Sequence, residues 1–160
     1  MIKTKLNKGF TLIELLVVIS MIGILSSLAL VSFTTSQKQT KDVQRKSEIK
    51  QYATSLEGFA NQNLGFFPSR SSAAESSASV FLCEDLGLTG CSEDPKAERD
   101  ESFTYKYNSN GSSDGEATAT DYVLWAKLEG SDNYWVACST GKVGTMPQAG
   151  FSVSGGVCPL

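Results

Sequence analysis

Apolar and polar positions are sorted along this chain rather than mixed. Residues 10–33, FTLIELLVVISMIGILSSLALVSF, hold 17 apolar residues in 24, and Glu14 is the one charge among them. From residue 34 the pattern changes period. Val43, Ile49, Tyr52, Ala53, Leu56, Phe59 and Ala60 recur mostly at three- and four-residue steps, the mark of a helix with one buried face. No proline interrupts residues 10–67. The two patterns therefore predict one rod from about Phe10 to Asn61, apolar in its first half (10–33) and amphipathic in its second (34–63). Asn61, Asn63, Gly65 and Pro68 supply its stop signals. Lys38, Lys41, Arg45, Lys46 and Lys50 are expected on the solvated face, with Asp42 and Lys46 as an i,i+4 pair.

Beyond the rod the alternation shifts to a period of two. Residues 64–101 read as a connecting loop, within which the Ser/Ala-rich stretch 69–79 is expected to be a solvated surface segment. Strand patterns follow at Phe103–Tyr107, Tyr122–Leu128 and Tyr134–Cys138, separated by turn-rich segments containing Asn110-Gly111 and Asp114-Gly115. Three consecutive strands over residues 102–138 predict an antiparallel meander lying on the apolar face of the helix. Residues 139–160 read as a Gly-rich tail. The fold class expected is α+β.

Bulk composition adds exclusions. The chain has 160 residues, a formal net charge of -3 and no histidine. A Ser-His-Asp or Cys-His nucleophile and a His-ligated metal are excluded. Charge is segregated as the apolar residues are. Residues 1–9 carry Lys3, Lys5 and Lys8 and no acid, whereas residues 64–160 carry 6 basic and 13 acidic side chains. That balance argues against nucleic acid as a partner.

An apolar helix of 24 residues spans roughly 36 Å, enough for a hydrocarbon core of about 30 Å. A basic leader before an apolar run also fits a cleaved secretory signal, but the run exceeds the usual apolar region of such signals. A carboxylate five residues into it is costly in lipid unless it finds a partner. The charges flanking the run are balanced and leave its orientation open.

The order Lys8-Gly9-Phe10-Thr11-Leu12-Ile13-Glu14-Leu15-Leu16-Val17-Val18-Ile19 closely resembles the amino-terminal signature of type IV pilins and of the pseudopilins of type II secretion. The resemblance implies a pilin-like fold. Residues 1–9 would be a leader removed by a prepilin peptidase between Gly9 and Phe10, and the new Phe10 amine would be methylated. The subunit would rest in the inner membrane as a single-pass precursor with its head outside the cytoplasm. An inner-membrane assembly platform would then draw it into a homo-oligomeric helical filament, a surface pilus or a periplasmic pseudopilus. In such a filament Glu14 is expected to pair with the Phe10 amine of a neighbouring subunit, because either charge alone is costly among packed apolar helices. Many type IV pilins carry a proline further along this helix, where Val31 stands here. Phe67-Pro68, Asp94-Pro95, Tyr105-Lys106-Tyr107 and the Tyr122–Glu129 strand also resemble, through short motifs, the major pseudopilin of type II secretion.

Cys83, Cys91, Cys138 and Cys158 lack the short spacing of a zinc site. Of the three possible disulfide pairings, the sequence-local one, Cys83–Cys91 and Cys138–Cys158, is expected in the oxidising compartment that the resemblance implies. No cofactor is required by any motif. Calcium on Asp114, Glu116 and Asp121 stays open, since some pseudopilins bind calcium in head loops, although the spacing matches no EF-hand. No catalytic constellation is present, and the expectation is a structural subunit. The competing expectation is a non-assembling, membrane-anchored or secreted binding protein.

Overall fold

The structure, a computed structural model, describes residues 9–72 and 76–160, without the side chains of residues 28–32. Of the expected leader, residues 1–8 lie outside the described residues. The chain forms two compact units, Met1–Lys38 and Gln39–Leu160. Helix α1, Leu12–Gln62, contributes to both.

In the second unit the last turns of α1 lie on an antiparallel sheet. Ile49, Tyr52, Leu56 and Ala60 form the buried stripe of the helix. Val43 falls outside it and is 65% exposed, because two residues from Arg45 on a helix is more than half a turn away. The chain then gives β1 (Phe67–Pro68), a π-helical turn (Ala78–Leu82) and the short helix α2 (Cys83–Asp85). After a 3-10 turn (Glu101–Phe103) come β2 (Lys106–Ser109), β3 (Ala117–Ala119), β4 (Tyr122–Lys127), β5 (Asn133–Cys138) and β6 (Val143–Pro147). The main sheet has the order β2-β4-β5-β6, and β1 pairs with β3 in a separate ribbon.

Three expectations are corrected here. The first strand starts later than its alternation suggests, since Glu101–Phe103 is a 3-10 turn capped by Asp100, which accepts the Ser102 N–H. The tail contains a fourth strand of the sheet, β6, which pairs with β5 from Ala137↔Val143 to Asn133↔Pro147. Its sequence, VGTMP, carries a glycine and a proline and has little intrinsic strand preference; edge pairing with β5 supplies what propensity does not. The Ser-rich stretch is not simply solvated. Ser69, Arg70 and Ser76 are buried, with backbone bonds from Ser69 N to Glu116 O and from Tyr107 N to Ser76 O.

Both faces of the sheet are covered. Tyr107, Tyr122, Leu124, Ala126 and Ala137 point to the helix with Tyr105, Phe67 and Leu82. The four core tyrosines also satisfy their hydroxyls or pack edge-on: Tyr52 donates to Ser92 O at 2.6 Å, Tyr105 to Glu48 and Tyr107 to Pro68 O at 2.7 Å, and Tyr122 meets Phe67 at 4.7 Å between ring centres. On the other face Val123, Val136 and Cys138 are buried beneath Met146, Phe151, Val153 and Leu160. The tail thus forms a lid over the outer face. Gly156 permits its closest approach: its backbone is left-handed, and a Cβ there would collide with the Asp121 carbonyl.

Candidate assembly site

The start of α1 holds a reciprocal cap. Glu14 Oε2 accepts the Thr11 N–H at 2.9 Å and the Thr11 hydroxyl at 2.7 Å, while Thr11 Oγ1 accepts the Glu14 N–H at 3.3 Å. This is a capping box, which satisfies backbone donors that a helix start leaves without partners. The pattern Thr-x-x-Glu before an apolar run is its sequence signature, so Thr11 was legible as a partner of Glu14. Both bonds fall on Oε2, and Oε1 has no partner among the described residues.

Immediately before the cap lie Gly9 and Phe10, both exposed. A Cβ at Gly9 would meet nothing within 4 Å, and Gly9 is not among the glycines with left-handed backbone. Neither packing nor conformation within the chain requires glycine there. From Gly9 to Ser27 every residue is exposed, including Leu12, Ile13, Leu16, Ile19, Ile22 and Leu25. Two of the serines on this surface turn their hydroxyls inward. Ser20 donates to Val17 O and Ser27 to Ile24 O, each at 2.8 Å, so neither brings an unpaired donor to an apolar surrounding. Among the described residues no helix is long and apolar enough to cross a membrane; the side chains at 28–32, inside the apolar run, are not among them.

The second unit handles charge in the opposite way. Arg45, expected in solvent, is 2% exposed. It pairs with Asp94, with Asp42 at 2.7 Å and with Glu129 at 3.3 Å, and its guanidinium lies over Phe103 at 4.8 Å. Asp42 also accepts the backbone N–H of Glu129 at 2.7 Å and of Gly130 at 2.8 Å. Burial would raise the Asp42 carboxyl, but those two N–H groups and Arg45 hold it below its ordinary value. Glu129 is likewise opposed by burial and held down by Lys96, Arg45 and Lys41. The Arg45 guanidinium loses hydration but gains three carboxylates, which secure its charge. Lys46, expected to pair with Asp42, instead has its ammonium over the Trp135 ring at 4.8 Å.

Disulfides join Cys83 to Cys91 and Cys138 to Cys158, closing loops with sequence separations of 8 and 20. The three turn acids do not converge. Asp114 accepts from Ser112 Oγ and Glu116 N, and Asp121 from Thr120 Oγ1. Among the described residues no group of three histidine, cysteine or acidic side chains is arranged to hold a metal ion.

Residues 4–30 match the family model for the prokaryotic N-terminal methylation motif. The type IV major pilin protein PilA of Myxococcus xanthus (strain DK1622) is 34% identical over 73 residues, which cover 40% of this chain. The match spans 33% of that relative's length. No solved structure matches. A capped, exposed apolar helix directly follows the motif's Gly9-Phe10, and over part of its length the chain is similar to a type IV pilin.

Proposed function

We propose that this protein is a filament subunit, with the likeness to a major pilin favouring a surface pilus over a pseudopilus. A prepilin peptidase cuts between Gly9 and Phe10, and the freed Phe10 amine is methylated. Residues 1–9 serve as the leader, 10–33 as membrane anchor and then filament core, and 34–160 as the head with the final turns of the helix. An inner-membrane platform moves the subunit from lipid to filament. The observation that carries this reading is the uninterrupted exposure of the apolar side chains from Phe10 to Ser27. A surface of that kind marks a lipid or protein interface.

Glycine at position 9 fits the same reading, because its demand comes from outside the chain's own packing. Glu14 begins with one oxygen engaged by Thr11 and one open, so it can receive a neighbouring Phe10 amine without breaking the helix cap. In the dry core of a filament each charge offsets the other, and a neighbour out of register leaves both unpaired. Mass spectrometry of the mature amino terminus tests the proposal. N-methyl-phenylalanine at position 10 is the expected finding; a mature chain beginning near Ser32 means an ordinary secretory signal and removes the filament reading.

A further inference from the structure

A basic pocket opens beside the first turns of α1 in the second unit. Its volume is about 400 Å³, within the range of roughly 300–1,000 Å³ that small ligands occupy. Lys41 and Arg45 come to it from α1, and Asp94, Lys96 and Arg99 from the segment before the 3-10 turn. Of the charged residues lining it, four are cations and Asp94 is the one carboxylate.

Asp94 is already neutralised. Arg45 holds both of its oxygens, and the Lys96 backbone N–H adds a third bond at 2.8 Å. The other three cations are less fully engaged. The Lys41 side chain is 55% exposed and reaches Glu129 only at 3.9 Å. The Lys96 side chain is 37% exposed and shares that carboxylate with Lys41 and Arg45. Arg99 is exposed and forms no ion pair among the described residues. Glu98, Asp100 and Glu101 flank it in sequence, but none of them lines the pocket.

We propose that this pocket holds the phosphate of an anionic phospholipid headgroup while the subunit is anchored in the membrane. Lysine offers a phosphate a point charge and arginine a planar fork of donors, and Lys41, Lys96 and Arg99 supply both. The pocket's place along the chain favours a lipid phosphate over one in solution. Lys41 follows Phe33, the end of the apolar run, by eight residues, or about 12 Å of helix rise. Headgroups extend about 5–8 Å beyond the hydrocarbon on each side, and a helical lysine leans back towards the amino terminus across the remaining gap. Residues 64–160 as a whole carry 13 acidic side chains against 6 basic ones, so an anionic surface attracts this patch and repels the remainder. The inference rests on the membrane-anchor step of the filament reading and adds to it a lipid contact made by the head.

The test uses the full-length chain reconstituted in vesicles. A membrane-impermeant amine-acylating reagent, followed by mass spectrometry, reads the accessibility of each lysine. Relative to Lys142, Lys41 and Lys96 should be acylated about tenfold more slowly in phosphatidylglycerol vesicles than in phosphatidylcholine vesicles. One basic residue at an anionic surface contributes about fivefold to binding, so Arg99→Gln should speed Lys96 acylation in phosphatidylglycerol by about that factor. Arg99 is exposed, and its replacement leaves the core untouched. Equal rates in the two lipids overturn the site. Protection that Arg99→Gln leaves intact also overturns it, because diffuse attraction of lysines to a charged surface then suffices. Equal protection by inorganic phosphate in phosphatidylcholine vesicles overturns the lipid assignment in favour of free phosphate. A chain that alkaline extraction strips from the vesicles removes the anchor reading itself.

Discussion

The two units treat the same kinds of side chain in opposite ways. Between Gly9 and Ser27 the apolar groups are outside, and the one carboxylate is tied to the backbone at the helix start. In Gln39–Leu160 the apolar groups are inside, and Arg45, Asp42 and Asp94 are buried with them. A region that buries its own apolar surface and pairs its own charges has satisfied its physical demands. A region that exposes a helix of leucine, isoleucine and valine has deferred them to lipid or to other subunits. On the proposed filament reading, the difference separates what holds one subunit together from what would join subunits.

Glu14→Ala is the sharpest way to break this comparison. It should leave the second unit's stability unchanged while filament yield, measured on sheared preparations, falls about a hundredfold or more, as loss of a buried charge partner does. Normal filaments would mean that the amino-terminal carboxylate plays no part in register. Arg45→Ala should do the reverse. It strands Asp94, Asp42 and Glu129 and should lower the stability of the second unit by about 3–5 kcal/mol in denaturant melts of the full chain in detergent. A change below about 1 kcal/mol would show that the cluster behaves as a surface network.

Replacing Cys138 and Cys158 together by serine opens a loop of 20 residues and should cost about 3 kcal/mol. Protease cleavage should then move into residues 139–160, since the lid over Val123 and Val136 loses its tether; an unchanged digest would show that packing alone holds it. The smallest effect is on acid stability. Asp42 and Glu129 titrate at the ordinary 3.8 and 4.5 in the unfolded chain and lower in the folded one. Their contribution is therefore complete above about 4.5 and is lost as pH falls through the lowered folded values. Asp42→Asn should flatten that acid limb of the melting-temperature profile; an identical slope would remove Asp42 from it.

Much of the helix was legible because periodicity survives without knowledge of the partner. Ile49, Tyr52, Leu56 and Ala60 recur at three- and four-residue steps whatever lies beneath them. Charged positions carry no such mark. Arg45 reads like its neighbours Lys41 and Lys46, and only Asp94 and Glu129, 49 and 84 residues away, turn it inward. Strand β6 was hidden for a related reason. Its glycine and proline weaken local preference, and it is a strand because β5 lies beside it and the tail crosses above.

The sequence by itself determined the amino-terminal motif, the apolar helix, its amphipathic continuation and the α+β class, because these rest on local spacing and on transfer between water and apolar surroundings. Tertiary structure alone decided which cations are buried and that the tail covers the outer face of the sheet. Those outcomes depend on contacts between residues far apart in the chain, and a one-dimensional pattern does not encode which distant groups will meet.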